Sequence, residues 1–124
     1  MPENKKTILV IEDDPVLSVM YKTKLEAEGY TIISAGNGVE GLASAKAEKP
    51  DLILLDIIIP QLDGFSVLEE LKEDAKTKKI PVILLTNLGT DEDKEKGQKL
   101  GAVDYLVKAN YTPEQISSEI KKFL

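Results

Sequence analysis

At 124 residues, with a hydrophobic fraction of 42% and a charged fraction of 31%, the chain has the size and composition of one folded globular domain, taken as residues 1–124, rather than of a disordered segment. It contains neither cysteine nor histidine, which excludes disulfides and thiolate chemistry and removes the usual general base, so any chemistry runs on carboxylates, hydroxyls and lysine. The net charge of −6, with lysines scattered along the chain, disfavours nucleic acid as a direct partner.

The polar start, Met1 to Lys6, is not followed by an apolar core ending in small residues, and no secretory signal is read there. Ile8-Leu9-Val10-Ile11 is the first of five apolar runs. Asp14-Pro15 then pairs an N-cap with proline at the first helical position, Leu17, Met20, Tyr21 and Leu25 repeat at helical spacing, and Gly29 supplies the stop. Tyr30-Thr31-Ile32-Ile33 is the second run. Asn37 to Glu40 has the residues of a capping box opening a helix to about Glu48. Leu52-Ile53-Leu54-Leu55 is the third run, and Asp56 breaks the apolar stretch well short of a membrane span. Asp63 opens a helix with Phe65, Leu68 and Leu71 inward. Val82-Ile83-Leu84-Leu85 precedes a helix starting at Thr90, and Val103 to Val107 precedes one starting at Thr112-Pro113, with Ile116, Ile120 and Phe123 on one face.

Apolarity that is continuous rather than alternating marks strands covered on both faces. Strand and helix alternate five times, which predicts an α/β, doubly wound (βα)5 flavodoxin-like fold, a five-stranded parallel sheet of order 2-1-3-4-5 with helices on both faces. No membrane segment is read, and the cysteine-free composition favours a cytoplasmic location.

In such a sheet, function gathers at the carboxyl ends of the strands. Those positions hold Glu12, Asp13 and Asp14 after the first strand, Asp56 after the third, Thr86 ending the fourth and Lys108 just past the fifth. Asp14 stands before Pro15 and is assigned as a cap rather than a site residue. Acids on adjacent strand ends repel unless a cation lies between them, and oxygen-only ligands favour a hard ion, Mg²⁺ first. That arrangement suits phosphoryl transfer to Asp56 as a carboxylate nucleophile, with the Lys108 ammonium and Thr86 hydroxyl binding phosphoryl oxygens.

The acidic start Ile8 to Pro15, Asp51-Leu52-Ile53-Leu54-Leu55-Asp56 with Pro60 and Asp63-Gly64, Pro81 to Thr86, and Gly101 to Lys108 together resemble the receiver domain of two-component response regulators, of the stand-alone type, over the whole chain. The resemblance implies Asp56 as phosphoacceptor and Mg²⁺ held by Glu12, Asp13, Asp56 and the backbone carbonyl of Ile58. It implies Thr86 and Lys108 at the phosphoryl group, and Thr86 and Tyr105 as the switch pair. It further implies a histidine kinase or histidine phosphotransfer protein as donor, and a downstream protein target on the face of the fourth helix, fifth strand and fifth helix. The role is phosphorelay signalling, not that of an enzyme acting on an external substrate. Two departures stand out: Ala109 follows Lys108 where proline is usual, and Asn87 follows Thr86 where a small residue is usual.

A haloacid-dehalogenase-like hydrolase needs an acid two residues after its nucleophile, and position 58 is Ile. A flavodoxin-like carrier needs a phosphate-binding first loop, where this chain has carboxylates. A degenerate receiver, acting as a phosphorylation-independent binding module, is disfavoured by the intact Asp13, Asp56, Thr86 and Lys108. The fourth helix, Thr90 to Leu100, offers few apolar anchors, contains Gly97, and is expected to be supported by Glu92–Lys96 and Glu95–Lys99 pairs.

Overall fold

A computed structural model describes residues 5–124; of the amino-terminal stretch read above for a secretory signal, Met1 to Asn4 lie outside the described residues. The elements are β1 (Thr7–Ile11), α1 (Pro15–Ala27), β2 (Thr31–Ala35), α2 (Gly38–Glu48), β3 (Leu52–Leu55), α3 (Gly64–Glu73), β4 (Val82–Thr86), α4 (Asp91–Lys99), β5 (Asp104–Val107) and α5 (Pro113–Lys121). All strand pairs are parallel and the order is β2-β1-β3-β4-β5. Among the described residues no helix is long and apolar enough to cross a membrane.

Because successive strand residues point to opposite faces, the continuous apolar runs feed two cores. Leu9, Ile11, Ile53, Leu55 and Leu84 pack with Leu42 of α2 and Val67, Leu68 and Leu71 of α3. Ile8, Val10, Leu52, Leu54, Ile83 and Leu106 pack with Tyr21 and Leu25 of α1 and Ile116 and Ile120 of α5. The second strand starts one residue later than its apolar run. Tyr30 is drawn back to the exit of α1, where its N–H donates to the Leu25 carbonyl at 3.2 Å beside Gly29 at φ 100°.

Each helix begins on a side-chain cap: Asp14, Asn37, Asp63, Thr90 and Thr112. Thr112 and Gln115 close a full capping box at 3.1 and 2.9 Å. At Asn37 only half of the expected box forms: the Glu40 N–H donates to Asn37 at 2.8 Å, while the exposed Glu40 carboxylate stays in water.

Helices that follow strands start at the sheet's carboxyl edge and end at its amino edge. Acidic caps and first turns (Asp14, Glu40, Asp63, Asp91 to Asp93, Glu114) therefore line the first edge, and last-turn lysines of all five helices the second. Both placements complement the helix dipoles.

α4 is anchored differently from its sequence pattern. Among the described residues neither Glu92–Lys96 nor Glu95–Lys99 closes as an ion pair; Lys96 instead lies over the Phe65 ring of α3, 4.5 Å from its centroid. Phe65 is half-buried and Lys96 exposed, and because an exposed ion pair gains little, an aromatic face can hold the ammonium instead. Gly97 is the one buried residue of α4, and a Cβ there would sit 2.6 Å from Leu84 and 3.2 Å from Tyr105. Glycine lets the helix approach the sheet that closely.

Candidate functional site

The ladder of the central strands sets the site. Asp56 N–H donates to the Ile11 carbonyl at 3.1 Å and Glu12 N–H to the Ala35 carbonyl at 3.0 Å, so both acids emerge together where β1 and β3 end. Behind Asp56, Gly64 lets α3 begin against the backbone: a Cβ there would lie 2.3 Å from the Asp56 carbonyl oxygen. Thr86 ends β4, and Lys108 opens a short 3-10 turn, Lys108–Asn110.

Four of the predicted groups meet. Lys108 Nζ donates to Glu12 Oε1 at 2.6 Å and to Asp56 Oδ2 at 2.7 Å. One carboxylate oxygen from each of Glu12, Asp13 and Asp56 can be chosen so that all three lie within 4.8 Å of one another. Glu12 and Asp56 are only 4% and 6% exposed, whereas Asp13 is open to solvent. The remaining oxygens are held by backbone: Asp14 N–H donates to Glu12 Oε2 at 3.1 Å and Ile58 N–H to Asp56 Oδ1 at 3.2 Å. Thr86 is fully buried and its Oγ accepts from the Leu88 N–H at 3.4 Å. A cleft of about 300 Å³ opens over the group, walled also by Asp14, Leu17, Ile58 and Asn87.

Burial pushes the Glu12 carboxyl above its ordinary range, against the opposing pull of Lys108 and the Asp14 N–H. Burial alone would lower the Lys108 pKa, but its bonds to Asp56 and Glu12 outweigh that and the net shift is upward. The lysine is therefore a fixed cation between two buried acids, the compensation buried charges require.

Asp14 is the cap it was expected to be, accepting from Val16 and Leu17 N–H at 2.9 and 3.3 Å. Tyr105 lies apart from the acids under α4. Its hydroxyl donates to the Leu88 carbonyl, and burial, then Asp93 and Asp56, push its pKa to about 12. Leu88 thus touches both Thr86 and Tyr105, a link that sequence reasoning missed because only its backbone takes part. No cis peptide bond occurs among the described residues, so Lys108–Ala109 is trans. The donor set itself, three carboxylates without nitrogen or sulfur, is one that could hold a hard metal ion.

In an open parallel α/β sheet ligands bind at the carboxyl ends of the strands, which is where the carboxylate cluster and Lys108 stand. The chain belongs to the response regulator receiver domain family, which it matches over residues 8–121. It is 41% identical over 117 residues to the DNA-binding dual master transcriptional regulator RpaA of Synechocystis, covering 94% of this chain and 48% of that one. It is 42% identical over 101 residues to protein PilH of Pseudomonas aeruginosa, covering 82% and 84%. The solved receiver domain of a sensor histidine kinase from Pseudomonas aeruginosa, with a magnesium ion coordinated in its active-site cleft, superposes with a TM-score of 0.87 at 28% identity, covering 96% and 97%. The chain thus spans about half the length of RpaA and most of PilH. Receiver domains are phosphoacceptor signalling domains of two-component phosphorelays, working between kinases and downstream targets.

Proposed function

We propose that Asp56 is the phosphoacceptor of a single receiver unit, with Mg²⁺ held by Glu12, Asp13, Asp56 and the Ile58 backbone carbonyl. The observation that carries this reading is the Lys108 ammonium bonded to both Asp56 and Glu12 beside a third carboxylate, with a buried hydroxyl at the next strand end. A carboxylate oxygen of Asp56 attacks the phosphorus of a phosphohistidine on a histidine kinase or phosphotransfer protein. The P–O bond forms as the P–N bond breaks, and the departing imidazole nitrogen takes a proton. Mg²⁺, when bound, supplies charge that neutralises phosphoryl oxygens.

Lys108, already desolvated and cationic, exchanges its bond to Asp56 for one to a phosphoryl oxygen, and the Thr86 hydroxyl binds another. When Thr86 turns toward the phosphoryl group, its contact with Leu88 changes, and with it the carbonyl that holds Tyr105. This supports Thr86 and Tyr105 as the switch and α4, β5 and α5 as the face that meets a downstream protein target. The role is that of a cytoplasmic signalling protein that catalyses only its own phosphorylation and dephosphorylation.

Intact mass after incubation with acetyl phosphate tests the reading. The expected result is a gain of one phosphoryl group that needs Mg²⁺ and disappears in Asp56→Asn. An equal gain in that variant moves the acceptor elsewhere, and no gain in the native chain favours a phosphorylation-independent binding module.

A further inference from the structure

The loop that follows Asp56 is braced by a helix, α2, that supplies none of the proposed site residues. Ile57 and Ile59 are buried in the core beneath α2 and α3, while Ile58 between them is 59% exposed. The chain then turns at Pro60 and Gln61, and Gln61 takes a φ of 72°, a left-handed conformation costly to a residue with a Cβ. The Pro60 carbonyl accepts from the Leu62 N–H at 2.9 Å and from the Gly38 N–H at 3.1 Å. Gly38 is the first residue of α2, so this N–H is one of those a helix start leaves without a partner inside the helix. The approach is close: a Cβ on Gly38 would stand 1.8 Å from the Leu62 carbonyl oxygen and 2.6 Å from its carbon. At the loop's other end the Gly64 N–H donates to the Ile57 carbonyl at 2.9 Å. The loop is thus pinned from two helices, by α3 at Gly64 and by α2 at Gly38.

We infer that Gly38 is a positioning residue for the phosphoacceptor site, its contact with Pro60 and Leu62 setting where the backbone from Asp56 to Ile58 stands to receive the metal. This rests on the Mg²⁺ reading of the site. What a side chain at position 38 would strike is a backbone carbonyl, so the loop itself has to give way. Its two pinned ends leave little room to absorb that shift before it reaches Ile58, and Mg²⁺ demands near-ideal ligand geometry. Gly41, one turn further along α2, is a built-in contrast. A Cβ there would meet only the Ile11 side chain, at 2.6 Å from its Cδ1, and a side chain can turn aside where a carbonyl cannot. Were Gly38 needed only for packing, replacing it would lower stability and leave the metal affinity of the folded chain unchanged.

Two measurements test this, both read at the metal rather than through phosphorylation. In the native chain, saturating Mg²⁺ should slow hydrogen exchange of the Gly38 amide, followed by NMR, more than that of amides inside α2. A contact that favours the metal is favoured by it in return. In Gly38→Ala, calorimetry should show Mg²⁺ affinity weakened by about tenfold or more, the scale of effect when groups that hold metal ligands are disturbed. Gly41→Ala should at most lose stability in urea denaturation while binding Mg²⁺ as the native chain does. A folded Gly38→Ala chain of native affinity, or an equal loss of affinity in Gly41→Ala, overturns the assignment. If Gly38→Ala does not fold, the native chain decides, and Gly38 exchange slowed no more than the rest of α2 overturns it. A native chain that binds no Mg²⁺ overturns instead the metal reading beneath.

Discussion

Lys108 spends its charge on two partners, and the two halves of that arrangement separate by mutation. On the proposed reading, Lys108→Ala removes a cation from a cluster that also holds a metal. Mg²⁺ affinity, read by calorimetry, should hold or rise, while NMR shift mapping after phosphorylation should show the response lost from α4 and β5. A Lys108→Ala chain that switches normally would make the lysine a mere counter-ion. Far from the site, Lys49 ends α2 at φ 45°, a left-handed conformation costly to any side chain with a Cβ, and its own side chain is exposed. Lys49→Gly should therefore stabilise the fold by about 0.5–1 kcal/mol in urea denaturation, since nothing packed is lost.

Among the elements, α4 is held by a glycine notch, a cation over a ring and a tyrosine hydroxyl on the loop before it, whereas α1, α3 and α5 bury large side chains. Residues 90–100 should exchange amide hydrogens faster than α1 and change their protection on phosphorylation. Equal protection in the two helices would deny α4 a mobile role. Gly97→Ala gains helix propensity of roughly 0.5–1 kcal/mol but drives a methyl into Leu84. The overpacking, about 1–3 kcal/mol, should win, and circular dichroism melts would read the loss.

At the other end of the sheet, Glu28 ties α1 to α5. Bonds from the buried Ser117 hydroxyl, then Lys24 and Lys121, lower its pKa to about 2. A depressed acid stabilises the fold above its unfolded pKa, so this support is full above about 4.5 and fades as pH falls toward about 2. Glu28→Gln should flatten the urea midpoint across that window and leave its higher-pH slope alone. These element-scale facts also mark what the sequence could tell. Strand positions and site acids were legible because parallel strands are apolar throughout and their ends are polar. Gly97, the Lys96–Phe65 contact and the Leu88 link were not, since each depends on which segments the fold brings together.

For the whole molecule, the two buried acids and exposed Asp13 at one edge carry more negative charge than Lys108 alone offsets, and on the proposed reading a divalent ion would balance the remainder. Mg²⁺ should raise the melting temperature, reaching about 2.7 kcal/mol of added stability at a hundred times its dissociation constant, and Asp13→Asn should blunt the effect. The order β2-β1-β3-β4-β5 has a consequence for how the chain is made. β2 and β3 both pair with β1, β4 pairs with β3, and β5 with β4, so each new strand leaving the ribosome finds its neighbour already synthesised. Each later strand docks onto an edge already made, while one edge of β1, β3 and β4 in turn stays open only until the next strand of its order arrives. The sheet grows outward from its oldest strand, and Lys108 reaches Glu12 and Asp56 only when the last strand has docked.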